Sequence, residues 1–174
     1  MSLTFYEMNI NYKINIINDI SDIKFKQINC TQQEVIMKKL DIYLADLLVG
    51  NVKLHNLHWN VVGLTFKAVH EYLEDLYDSF FEKYDEVAEY QKQVGVYPKS
   101  SVKEYMNLTK IEELGDNDIS SKDALAVALD LIKHMKDSAL KIQAEADDFV
   151  LSNMMEDHVI EYNKAIWFME SMLK

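Results

Sequence analysis

The stretch Lys53–Tyr90, KLHNLHWNVVGLTFKAVHEYLEDLYDSFFEKYDEVAEY, holds three of the chain's five histidines among carboxylates and aromatic rings. At about 100° per residue on a helix, Phe66, Val69, Leu73, Leu76, Phe80 and Val87 fall on one apolar stripe, the face of a helix turned to a bundle core. Beside it runs a second line, His70, Glu74, Tyr77, Phe81 and Asp85, drifting towards Glu89. A helix with two stripes has two partners. One is its own bundle, and the second is expected to be another copy of the chain.

Upstream, Leu40, Leu44, Leu47, Asn51, Leu54 and His58 alternate spacings of four and three, the seam of a helix in a bundle. Helix signals open at Thr31-Gln-Gln-Glu34, a capping box, and Gly63 stops the first helix after Val62. A second helix is expected from about Thr65 to Val94, ended by Gly95 and Pro98. Ser101-Val-Lys-Glu104 reads as another capping box, opening a short helix that fades before Gly115. A third long helix begins near Ser120, and Asp147-Asp148 marks the break before a fourth that continues to Leu173. The fold expected is all-α: a four-helix bundle with a short extra helix in the long connection between helices two and three. Residues 1–30 are expected as an extended arm, because Ile10, Tyr12, Ile14 and Ile16 alternate with polar residues, and residues 31–174 as the bundle domain.

At 174 residues the chain is long enough to bury one core, and 4 Gly with 1 Pro leave little material for turns. A formal charge of −11 argues against adhesion to nucleic acid or anionic membrane, whose phosphates need concentrated Lys and Arg. No apolar run reaches the length of a membrane span. Cys30 is the single cysteine, so no internal disulfide forms, and a cytoplasmic location is expected. No GxxxxGK, GxGxxG, CxxC or GxSxG is present, which removes phosphate-cradle, dinucleotide, zinc-ribbon and serine-hydrolase chemistry.

Imidazoles and carboxylates without thiolate suit Fe, Mn or Zn. His70 and Glu74 are four apart on one face, and Asp85 and Glu89 repeat that spacing. Glu74 and Asp85 are about 16 Å apart along a helix rising roughly 1.5 Å per residue, whereas metal–ligand bonds are about 2 Å. One helix therefore cannot bring both pairs to one ion. Either the chain has two sites, or the second pair comes from a two-fold-related copy, which the second stripe favours. No histidine has Glu three residues before it, so the Glu-x-x-His pairs of a di-iron site inside one bundle are missing.

LHNLHWNVVGLTFKAVHEYLEDLY, DEVAE, PKSSVKEY and KAIWFMESML resemble signatures of the Dps family, the mini-ferritins within the ferritin-like superfamily. The resemblance implies a closed shell of about twelve subunits. It makes His58, His70 and Glu74 ligands from one subunit and Asp85 and Glu89 ligands from its neighbour, with Trp59 beside the site. It further implies oxidation of Fe(II), preferentially by hydrogen peroxide, and storage of ferric iron within the shell.

Three positions depart from the family pattern. Glu74 replaces Asp, Tyr90 replaces Arg, and Asn153 stands where an iron-entry pore commonly has Asp. Asp147 and Asp148 are candidate pore residues, with helix-end capping as their other role. His55 is a candidate secondary ligand, while His134 and His158 are expected to be solvated, and the methionines to fill core. Two other functions compete: a DNA-binding nucleoid protein, and a helical interaction protein whose site has decayed. The first is disfavoured, since residues 1–30 balance Lys13, Lys24 and Lys26 against Glu7, Asp19 and Asp22, and only Lys174 follows helix four.

Overall fold

The computed structural model describes the backbone of residues 5–174 and the side chains of residues 32–174. Contacts divide the chain into two units, Met1–Met37 and Lys38–Lys174. Helix α1 is Phe5–Asn60. In the first unit the backbone from Phe5 is helical, where an extended arm was expected, and the Thr31–Glu34 box opens no new helix. Ile10, Ile14 and Ile17 fit a helical spacing as well as alternation does, and extending a formed helix costs far less than nucleating one. What residues 1–31 pack against lies outside the described side chains.

The second unit contains the rest of α1, then α2 (Phe66–Gln93), α3 (Val102–Leu108), α4 (Ser121–Glu145) and α5 (Phe149–Met172). Side-chain pairs fix how they run. Asn51 meets Tyr77 and Gln91 meets Asp41, so α1 and α2 are antiparallel. Tyr72 meets Ala165 and Glu86 meets His158, so α2 and α5 are antiparallel too. Lys39–Glu145 and Asp46–His134 set α1 against α4 in the same sense. Helices α2 and α4 therefore run parallel, and only a link as long as the bundle can join them.

That link walks along α1. The Tyr84 and Tyr105 hydroxyls bond at 2.7 Å and anchor α3 on α2. Farther on, Asp46 accepts bonds from Thr109 Oγ1 (2.7 Å) and the Lys110 N–H (2.6 Å). Lys53 then donates to the Glu112 carbonyl, and Val61–Val62 (β1) pairs in parallel with Ile119–Ser120 (β2). This two-residue ladder gave no periodic signal in the sequence.

Four long helices close on a core built from Leu40, Leu44, Leu47, Leu54, Leu73, Phe80, Ile132, Met135, Met155 and Met169, whereas Met106 and Met172, also expected in the core, are exposed. Gly50 lets α1 and α2 approach closely: a Cβ there would lie 2.7 Å from Phe80 Cε1. Gly63, at φ +119°, ends the α1–β1 segment in the left-handed region that glycine adopts without strain. Ser120 caps α4, accepting the Asp123 N–H and donating to its carboxylate. Ser101 precedes α3 without a side-chain cap bond, so the second expected capping box does not form.

Two histidines expected in solvent are structural. His134 Nε2 donates to buried Asp46 at 2.8 Å. His158 is buried: Nε2 donates to Glu86 (3.1 Å), leaving Nδ1 to accept from Tyr43 Oη (3.0 Å), which in turn accepts from Tyr162 Oη at 2.8 Å. Burial holds the His158 imidazole below its ordinary pKa, against the pull of Glu86. Among the described residues no helix is long and apolar enough to cross a membrane.

Candidate metal centre

The antiparallel pairing of α1 and α2 sets the last turn of one against the first turns of the other. His58 and His70 meet there and lock each other. His58 Nδ1 donates to the His70 carbonyl and His70 Nδ1 donates to the His58 carbonyl, each at 2.8 Å. A carbonyl accepts only, so both protons sit on Nδ1 and both Nε2 atoms keep their lone pairs. The rings stack with centroids 3.6 Å apart at 21°. A metal-binding histidine needs this orientation from its other nitrogen, and here backbone supplies it.

Glu74 lies one turn beyond His70. One ligand atom from each of His58, His70 and Glu74 falls within 4.8 Å of the others, the only such group among the described residues. His58 is buried, His70 half-buried and Glu74 exposed, so the donor set has a closed floor and an open side. Two neutral nitrogens and one carboxylate suit a borderline divalent ion, and the open side leaves coordination positions for more donors.

The other sequence candidates fall around this group. Asp85 and Glu89 are exposed on α2 and lie outside it, as the helical rise requires. His55 donates Nδ1–H to the Asn51 carbonyl at 3.0 Å and stacks on Tyr77 with centroids 3.7 Å apart. Trp59 is 70% exposed and meets His55 edge-on at 5.4 Å. Asp148 caps α5 through the Val150 N–H and accepts from Tyr90 Oη at 2.8 Å, so both its oxygens are engaged. Burial and the Asp148 bond push the Tyr90 phenol well above its ordinary pKa. At the position where the family commonly has Arg, Tyr90 thus donates its hydroxyl to a carboxylate. Asp147 is exposed. Phe66, expected on the bundle stripe, is 42% exposed, its ring 4.9 Å from that of His70.

Tyr77 was placed on the second stripe of α2 from sequence but given no role at the site. Its ring meets His58 edge-on, with centroids 5.3 Å apart at 89°. The available signal was its place three residues after Glu74 on the same face.

Residues 37–174 match the family model for the ferritin-like domain. The chain is 35% identical over 142 residues to antigen TpF1 of Treponema pallidum, covering 80% of each protein. The crystal structure of that antigen aligns with a TM-score of 0.80 at 34% identity, over 83% of this chain and 94% of that one. The DNA protection during starvation protein of Helicobacter pylori is 32% identical over 74% of this chain and 92% of its own length. Dps from Listeria innocua, in a structure soaked with zinc, aligns with a TM-score of 0.75 at 28% identity, over 79% of this chain and 95% of that one.

The crossover bundle with a histidine–carboxylate centre on its α1–α2 edge defines a ferritin-like protein. Within that superfamily the chain belongs to the Dps family of mini-ferritins. It is a ferroxidase of the Dps type, and His58, His70 and Glu74 form its candidate metal-binding group.

Proposed function

We propose that the chain oxidises Fe(II) with hydrogen peroxide at a site shared by two subunits, and that ferric product is stored inside a closed shell of about twelve copies. His58, His70 and Glu74 bind iron from one subunit. Asp85 and Glu89 of the neighbour complete the site. Iron is the substrate: two Fe(II) and two protons reduce one H2O2 to two waters, leaving two Fe(III). Each peroxide receives both electrons, so no hydroxyl radical is released.

The observation that carries this reading is the reciprocal His58–His70 clamp. It presents two Nε2 lone pairs beside the Glu74 carboxylate, a donor set that a borderline divalent ion takes. Two further features support sharing between subunits. Coordination is open on the solvent side, and Phe81, between the two ligand pairs on α2, is 59% exposed, as expected of a residue that packs on another copy.

Anaerobic loading with Fe(II) followed by a peroxide pulse tests the proposal, with ferric absorbance as the readout. The wild-type protein is expected to form ferric product at once, and His58→Ala to lose most of that rate. Equal rates in the two proteins would refute the assignment.

A further inference from the structure

The leucine ladder on α1 has one break. Asn51 is buried where a leucine would pack, and a buried amide costs about 1–3 kcal/mol unless it is bonded. Its bonds show what it holds. The side-chain Nδ2 donates to the Tyr77 carbonyl at 2.6 Å, and the backbone carbonyl accepts Nδ1–H of His55 at 3.0 Å. One residue thus fixes both partners of the His55–Tyr77 stack, whose planes lie 21° apart.

The ring held in this way meets His58, and Tyr77 also shares a face with Glu74, one turn before it. The Tyr77 hydroxyl and the Glu74 carboxylate are neighbours on that face. We infer that Tyr77 is a positioning residue of the metal centre: held by Asn51 and His55, it sets the orientation of the Glu74 carboxylate and buttresses the His58 ring. Glu74 needs such a restraint. It is the exposed member of the group, and its side chain has one more rotatable bond than an aspartate. His55, stacked on Tyr77 and outside the three-residue group, accordingly serves as a wall of the centre.

This inference rests on the ligand assignment above, and cobalt separates the two. Co(II) is titrated into the assembled protein while its d–d absorption and affinity are recorded, alongside thermal unfolding and the KM and kcat of Fe(II) oxidation. Tyr77→Phe keeps the stacked ring and removes only the hydroxyl. It is expected to keep the wild-type melting temperature, to bind Co(II) about 10-fold more weakly, to shift the d–d band and to raise KM. A Tyr77→Phe protein with wild-type Co(II) affinity and band overturns the inference, and so does one that loses thermal stability while the band stays unchanged. His58→Ala is the control. If it loses Co(II) while Tyr77→Phe does not, only the positioning role fails; if it binds Co(II) as the wild type does, the ligand assignment fails with it.

Discussion

Asp46 shows how one residue ties distant parts of the chain together. Its carboxylate is fully buried and accepts from Thr109, Lys110 and His134, so it pins the crossover link to α1 and α4. Asp46→Ala strands those donors and is expected to cost about 3 kcal/mol. Urea unfolding of wild type and variant at equal protein concentration measures it, and a loss near zero would remove Asp46 from this role. His158 makes a prediction about pH. Burial, the largest influence, lowers its pKa in the fold, so below about pH 6.5 the unfolded chain binds a proton that the folded chain resists. Its contribution is therefore fully present above the unfolded value and declines as pH falls below it. The groups that face it are Tyr43 on α1, Lys83 and Glu86 on α2, and Glu161 on α5. Unfolding free energy measured from pH 7.5 to 5 (roughly the range over which histidine titrates) should slope less steeply for His158→Gln than for wild type. Parallel slopes would show that another group governs this range.

Helix α2 was legible in the sequence and the start of α1 was not, for reasons that lie in periodicity. Val69, Leu73, Leu76, Phe80 and Val87 repeat with one period only, and all are buried. Phe66 fits the same stripe but stands at the helix end, where α1 no longer covers it. Residues near Ile10 satisfy two periods at once, so alternation misled. His70 and Glu74 could be paired from their spacing on one helix face, whereas His58 joined them only through the family resemblance, since spacing within α2 does not say which turn of α1 faces it. His134 and His158 could not be paired from spacing, since their partners Asp46 and Glu86 are 88 and 72 residues away. Close approach of helices was equally hidden, and Gly50 is its test. A methyl there meets the edge of a buried Phe80 ring, so Gly50→Ala should destabilise by about 1–2 kcal/mol even though alanine favours helix by about 1 kcal/mol. Adding Phe80→Leu opens that space, and the double variant should lose less than the two single changes sum to. Strict additivity in chemical denaturation would mean that the two positions do not touch.

At the level of the assembled molecule, the acidic charge and the split ligand set each have a consequence. With a formal charge of −11, the protein should leave linear duplex DNA unshifted in an electrophoretic assay near neutral pH without added divalent cations. A salt-sensitive complex under those conditions would contradict this. The divided site permits a sharper test, because Glu74 and Asp85 lie about 16 Å apart along α2. Suppose His58 acts from one chain and Asp85 from its neighbour. His58→Ala and Asp85→Ala shells should then each lose most peroxide-driven Fe(II) oxidation. In a dimer with one variant on each chain, both defects fall in the same site and the other site is intact. Shells co-assembled from the two inactive proteins should therefore regain activity in proportion to mixed dimers, counted by mass spectrometry. If one chain supplied every ligand, each site in the mixed dimer would keep one defect. Mixed shells as inactive as their parents would then place all the ligands on a single subunit.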